Sequence, residues 1–218
     1  SYTVTSNVGG HTATGGSSPI IVTGLTNGTT YTFTVTATNA IGTGSPSSAS
    51  NSVTPATVPN APTGVSAVYG NGEAIISFTP PVSNGGSAIT SYTVTSDVGG
   101  HSATGGASPI TVTGLTNGTT YTFTVTATNA VGTSSTSSPS NSVVPSTVPN
   151  APTIGTATAG NGQATITFTP PVNNGGSAIT SYTVTSNLGH TATGGSSPIT
   201  VTGLTNGTAY TFTVTATN

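Results

Sequence analysis

One block of about ninety residues recurs in this chain almost letter for letter, and it contains neither lysine nor arginine. SYTVTS stands at Ser1–Ser6, at Ser91–Ser96 and at Ser181–Ser186. Between copies the changes are single conservative letters: Asn7 becomes Asp97, Thr12 becomes Ser102, Ser17 becomes Ala107 and Ile21 becomes Thr111. The last copy drops one residue ahead of His190. A period of this length exceeds one coil of a solenoid and suits one small domain, so the chain reads as beads on a string. The expected division is a partial copy over 1–57 that lacks its first two strands, a complete copy over 58–147, and a partial copy over 148–218 that lacks its last strand. That register is what a window cut from a longer tandem array would show; the alternative is that neighbouring chains supply the missing strands.

Charge closes several function classes. The only ionised side chains are Glu73 and Asp97, with no cation to oppose them. Nucleic-acid binding needs cations to replace phosphate counterions, and attachment to anionic lipid needs a basic cluster. Neither is available. Trypsin has no cleavage site, and a surface with so little net charge lacks the repulsion that keeps molecules apart. No cysteine is present, so disulfide and thiolate-metal frameworks are absent. Disorder is disfavoured because the segments are rich in Val, Ile, Thr and aromatic residues without high net charge.

The middle copy can be read from end to end. Pro59 and Pro62 make its start stiff and extended. Thr63–Tyr69 is a first strand, and Glu73–Thr79 a second, stopped by Pro80-Pro81. Ile89–Ser96 follows, then a short strand near His101–Thr104, then Ile110–Thr113. Thr120–Thr128 alternates most cleanly, and Asn141–Val144 is a last strand. The inward set is Ile76, Phe78, Tyr92, Val94, Ile110, Val112, Leu115, Tyr121, Phe123 and Val125, and every strand tyrosine reads as inward. Seven short strands with no helix signal predict an all-β, two-sheet antiparallel sandwich in each complete copy.

Three segments carry a resemblance: Ile76-Ser77-Phe78-Thr79-Pro80-Pro81, Ile89-Thr90-Ser91-Tyr92-Thr93-Val94, and Leu115 through Val125. Together they resemble a fibronectin type III domain. The resemblance implies that Leu115, Gly118 and Tyr121 form the family's tyrosine corner. It also implies a buried tryptophan ahead of the prolines, where this chain has Phe78. The family mostly supplies spacers and binding surfaces, so the match says more about fold than about task.

Candidate sites are few. His11, His101 and His190 recur once per copy, and a repeated metal or proton-sensing site competes with a plain loop histidine. A lone imidazole without nearby Cys, Asp or Glu is a poor ligand set, which favours the loop reading. Glu73 and Asp97 correspond to Gln163 and Asn187 in the last copy, so acid–base catalysis is not a property of the repeat. No catalytic residue, cofactor site or metal site is assigned. Asn27, Asn117 and Asn206 head formal N-glycosylation sequons, although Asn-Gly also makes a tight turn on its own account. The rows Thr122, Thr124, Thr126, Thr128 and Thr93, Thr95 offer a solvated face, a self-association face or, less favoured, a lattice-binding face.

The expected role is structural: a segment of a long extracellular or cell-surface tandem protein, of bacterial type, forming a filament, stalk or giant adhesin. The competing expectations are a glycan- or surface-binding adhesive module, a non-catalytic linker of a secreted glycan-degrading enzyme, and a viral tail or fibre decoration. Expected partners are neighbouring repeats, further copies of the chain, or a carbohydrate or cell surface. Nucleic acid and membrane insertion are not expected.

Overall fold

The computed structural model describes residues 1–218 and contains fifteen strands and no helix. In the middle copy one sheet has the order β4–β5–β8, formed by β4 (Thr63–Tyr69), β5 (Glu73–Thr79) and β8 (Ile110–Thr113). The other has the order β7–β6–β9, from β7 (Ser102–Gly105), β6 (Ile89–Ser96) and β9 (Phe123–Asn129). Every pairing is antiparallel. The last copy repeats both sheets. Its β11 (Gln163–Thr169) lies between β10 (Thr153–Gly160) and β14 (Ile199–Thr202), and its β12 (Ser181–Ser186) between β13 (Thr191–Gly194) and β15 (Phe212–Thr217). The first copy has one sheet, with β1 (Tyr2–Ser6) between β2 (Thr12–Gly15) and β3 (Phe33–Ala37).

Alternation builds the core. In β9, Phe123, Val125 and Ala127 are fully buried while the threonines between them are half-exposed. In β5, Ala74, Ile76 and Phe78 point the same way. Opposed positions match across β6 and β9, where Tyr92 faces Ala127 and Val94 faces Val125. The two sheets meet through Phe78 and Tyr92, whose ring centroids lie 4.9 Å apart. Ile76, Phe78, Tyr92, Val94, Ile110, Val112, Leu115, Tyr121, Phe123 and Val125 all belong to one cluster of 14 buried residues. Truncating a fully buried ring such as Phe123 to alanine would cost about 3–5 kcal/mol.

The turn before β9 is closed by a buried phenol. Tyr121 Oη accepts the Thr116 amide at 3.1 Å, and Tyr31 and Tyr210 accept Thr26 and Thr205 at 3.0 Å each. The ring is buried and its hydroxyl bonded, which removes the penalty a lone buried O–H would carry.

The seventh segment departs from expectation. Asn141–Val144 forms no ladder; the chain from Thr133 to Val143 touches the sheet through isolated bridges at its two ends. Between them it advances three residues for every two of β9. Ser134, Ser137 and Ser140 donate their amides to the carbonyls of Ala127, Val125 and Phe123 at 2.8–3.0 Å. Their hydroxyls accept the amides of the same three residues at 2.9–3.1 Å. Each hydroxyl then donates to the carbonyl one residue on, at 2.7–2.8 Å. A serine hydroxyl thus stands where a strand would present a carbonyl. Gly44, Ser47 and Ser50 hold the same places beside β3. Such an edge presents no regular row of free amides to another strand, so it protects the sheet from edge-to-edge pairing.

Two tyrosines also differ from expectation. Tyr69 is 56% exposed and Tyr2 is 45% exposed. Tyr69 has the inward parity of Ala67, but β4 carries it past the end of the core. Tyr2 occupies the place of Tyr92, and the sequence given holds no first-copy counterpart of the Phe78 ring that packs on Tyr92.

Ser137→Ala removes the acceptor from the buried Val125 amide and should destabilise the middle copy by about 1–3 kcal/mol in denaturant unfolding. Exposed Ser138→Ala should change stability by less than about 0.5 kcal/mol.

Candidate functional site

The residues with chemical potential serve structure. His11, His101 and His190 pack edge-on against Tyr31, Tyr121 and Tyr210, with centroids 6.1, 6.1 and 5.8 Å apart. Each imidazole therefore shields the outer side of its tyrosine corner, a contact that the sequence reading missed and that the constant His-to-Tyr spacing reflects. Asp97 Oδ1 accepts the Thr122 amide at 2.8 Å and the Val98 amide at 3.0 Å. Asn7 and Asn187 accept the equivalent amides of Thr32 and Thr211 at 2.8 and 3.2 Å. The position asks for a side-chain oxygen, whether amide or carboxylate. The Thr122 amide holds the Asp97 carboxyl below its ordinary value of 3.8.

The threonine rows are half-buried and engage one another. Thr104, Thr93 and Thr126 lie side by side across three strands, as do Ser102, Thr95 and Thr124. The Thr93 and Thr104 hydroxyls are 3.1 Å apart, and the corresponding pairs Thr3–Thr14 and Thr183–Thr193 are 3.2 and 3.1 Å apart. Thr128 pairs with Thr133 at 3.0 Å, and Thr122 donates its amide to Asp97. These cross-strand pairs stabilise the sheet by a few tenths of a kcal/mol each, on the order of 0.2–1 kcal/mol.

Two of the three sequon asparagines hold the turns that lead into β5 and β11. Asn117 Oδ1 accepts the Gly72 amide at 2.9 Å and its Nδ2 donates to Asn71 at 2.8 Å. Asn206 makes the same two bonds, to Gly162 and Asn161. Asn27 and Asn206 are exposed, whereas Asn117 is half-buried, contacted both by the Asn71-Gly72 turn of its own copy and by the turn of the last copy. A β-carbon on Gly176 would lie 2.9 Å from that of Asn117, so a sugar on Asn117 would crowd the contact.

That contact is a junction, and it is built twice. The Asn27-Gly28 turn meets Gly86 of the middle copy, and the Asn117-Gly118 turn meets Gly176 of the last. Gly28 and Gly118 donate their amides to Pro55 and Pro145 at 2.8 and 2.9 Å, tying the linker to the preceding copy. Two residues later, Thr57 and Thr147 donate to Gly85 and Gly175 at 2.8 Å each, tying it to the following copy. Asn129 Nδ2 then donates to the carbonyls of Thr57 and Asn84, and Asn218 to those of Thr147 and Asn174, all at 2.8 Å. One residue, Ala56 or Ser146, separates the two anchors, and Ser146 itself donates to Gly70 at 3.1 Å. A β-carbon on Gly118 would stand 3.3 Å from the Gly176 Cα, and Gly86 and Gly176 adopt φ of +85° and +89°. Glycine is required there for both the close approach and the backbone angle.

The lowered Asp97 value has a consequence for pH. The unfolded chain binds this proton more tightly than the folded one, so the bond stabilises above the unfolded value and is lost as pH falls through 3.8 and below. Asp97→Asn should leave stability at neutral pH nearly unchanged, since Asn7 and Asn187 make the same bond. It should also flatten the acid limb of the stability–pH curve measured by thermal unfolding.

Comparison with known proteins agrees with this architecture. A family model of the fibronectin type III domain matches residues 60–143 and 150–218. The chain is 40% identical over 119 residues to the Kelch domain-containing protein SSO1033 of Saccharolobus solfataricus, covering 52% of this chain and 16% of that protein. It therefore spans about a sixth of the length of that curated relative. Among solved structures, domains A168–A170 of titin align at 26% identity and a TM-score of 0.45, over 65% of this chain and 53% of titin's. The FN1–FN3 domains of chicken CNTN1 align at 19% identity and a TM-score of 0.42, over 100% of this chain and 83% of that one. With the strand order, the tyrosine corner and the matched segments in agreement, the chain belongs to the fibronectin type III family.

Proposed function

We propose that this chain is a structural segment of a long extracellular or cell-surface tandem-repeat protein that forms a filament, a stalk or the shaft of an adhesin. The observation that carries this reading is the junction, made of the same main-chain bonds at both places where copies meet. Equal units with equal junctions take equal steps, and repetition of one step generates a regular rod. The linker is too short and too firmly bonded to act as a flexible tether. Neighbouring repeats are its first partners. With so little charge to repel them, rods would also associate side by side, and the threonine rows offer a face for it.

An adhesive role has one observation in its favour. Tyr69 and Val68 are exposed beside Val144, Ser142 and Ser177, in an open groove of about 680 Å³ at the second junction. An exposed ring flanked by hydroxyls and free of cations suits a neutral glycan. The counterpart of Tyr69 in the last copy is Ala159, so this groove is not a feature of every repeat.

Electron microscopy of the native material tests the filament reading: regular fibres with an axial repeat of one domain are expected, and isolated compact particles would contradict it. At the level of the junction, Gly86→Ala combined with Gly176→Ala should broaden the distribution of shapes in small-angle X-ray scattering. Each substitution also places a side chain at positive φ and should cost about 1–2 kcal/mol locally. An unchanged scattering profile would count against a glycine-dependent lock.

A further inference from the structure

The middle and last copies differ chiefly in one sheet. Strands β6, β8 and β9 carry the same letters as their counterparts in the last copy, and β7 differs only at Ser102. The differences gather in β4 and β5. On the outer face of that sheet Ser66, Val68, Glu73, Ile75 and Ser77 give way to Thr156, Thr158, Gln163, Thr165 and Thr167.

The exchange changes the chemistry of one row. In the middle copy Val68, Ile75 and Thr111 stand side by side across β4, β5 and β8. Ala67, Ala74 and Ile76 turn inward to the core, so Val68 and Ile75 face solvent, 63% and 40% exposed. In the last copy the row is Thr158, Thr165 and Thr200, and the hydroxyls of Thr165 and Thr200 lie 3.0 Å apart. That row satisfies itself, whereas Val68 and Ile75 meet only water. Their row runs on to Tyr69 and Val144, which line one groove with Val68. Glu73, two places from Ile75, is the one ionised group on β4, β5 or β8. An apolar patch with a polar rim is the usual form of a contact surface.

We infer that this row is a contact surface for a second copy of the chain, and that it gives the side-by-side association of rods a register. Charge and symmetry select that occupant. The face offers a charged partner nothing beyond Glu73, and another copy of this chain brings too little charge to be repelled. A two-fold axis running between β4 and β5 sets Val68 over the partner subunit's Ile75, and the reverse, so the surface complements itself. Few side chains take part, and their area falls well short of the about 800 Å² that each partner of a stable pair buries. One row therefore holds two chains weakly and reversibly. The threonine rows recur in every copy, so a contact through them alone could slide by whole copies. A row present in one copy and replaced in the next fixes which copies lie together. The inference rests on the lateral association proposed above and names the surface that orders it.

Sedimentation velocity of the intact 218-residue chain, from micromolar to millimolar concentration, tests the contact. A reversible monomer–dimer equilibrium is expected. Val68→Thr with Ile75→Thr installs residues that the last copy already carries in the same fold, and it should weaken association by at least about tenfold. Thr158→Val with Thr165→Ile gives each chain a second row and should strengthen it. A chain that stays monomeric throughout would overturn the inference. So would association that Val68→Thr with Ile75→Thr leaves unaltered, because the contact would then lie elsewhere, or no gain from the reverse exchange. Fibres built end to end do not need this contact, so its failure leaves the filament reading standing, and a dimer in solution does not require fibres.

Discussion

The two-anchor linker is the constraint on which the rest of this molecule depends. Pro55 accepts from the copy before and Thr57 donates to the copy after, with one residue between them. A linker so bonded has already lost the conformational freedom that a tether keeps, so the orientation of one sandwich is passed to the next at little further entropic cost. Only main-chain groups and one asparagine take part. The junction therefore survives the drift in side chains between copies, and the near-identity of the repeats becomes near-identity of the steps.

Inside each copy, neutral polar side chains replace what ion pairs do elsewhere. Asn7 and Asn187 accept one amide through a neutral side chain, where the middle copy uses the Asp97 carboxylate. Ser134, Ser137 and Ser140 complete the ladder of β9 in place of a seventh strand. No buried side-chain nitrogen or oxygen is left without a partner. Neutral hydrogen bonds of this kind are barely screened by ions, so the fold is expected to be indifferent to salt.

Much of this was legible from residues alone, and the failures share a physical origin. Alternation at period two marks β4, β5, β6 and β8 to the residue, because burial on one face imposes that period. The serine segment repeats at period three, and a test for two or 3.6 passes over it. The signal was present in the spacing of Ser134, Ser137 and Ser140 and of Gly44, Ser47 and Ser50. The junction was invisible for another reason. Gly28 and Gly86 each read as an ordinary turn glycine, and only three-dimensional placement shows that the two turns touch. Tyr69 has inward parity, but parity does not say where a core ends.

Orientation between copies is the quantity on which the account stands. The chain has no cysteine, so spin labels can be placed uniquely by Ser48→Cys and Ser138→Cys, at equivalent exposed positions of the first and middle copies. Pulsed electron resonance should then give one narrow distance distribution, little changed by salt. A broad distribution spanning many orientations would show that the copies swing freely, and would contradict the account.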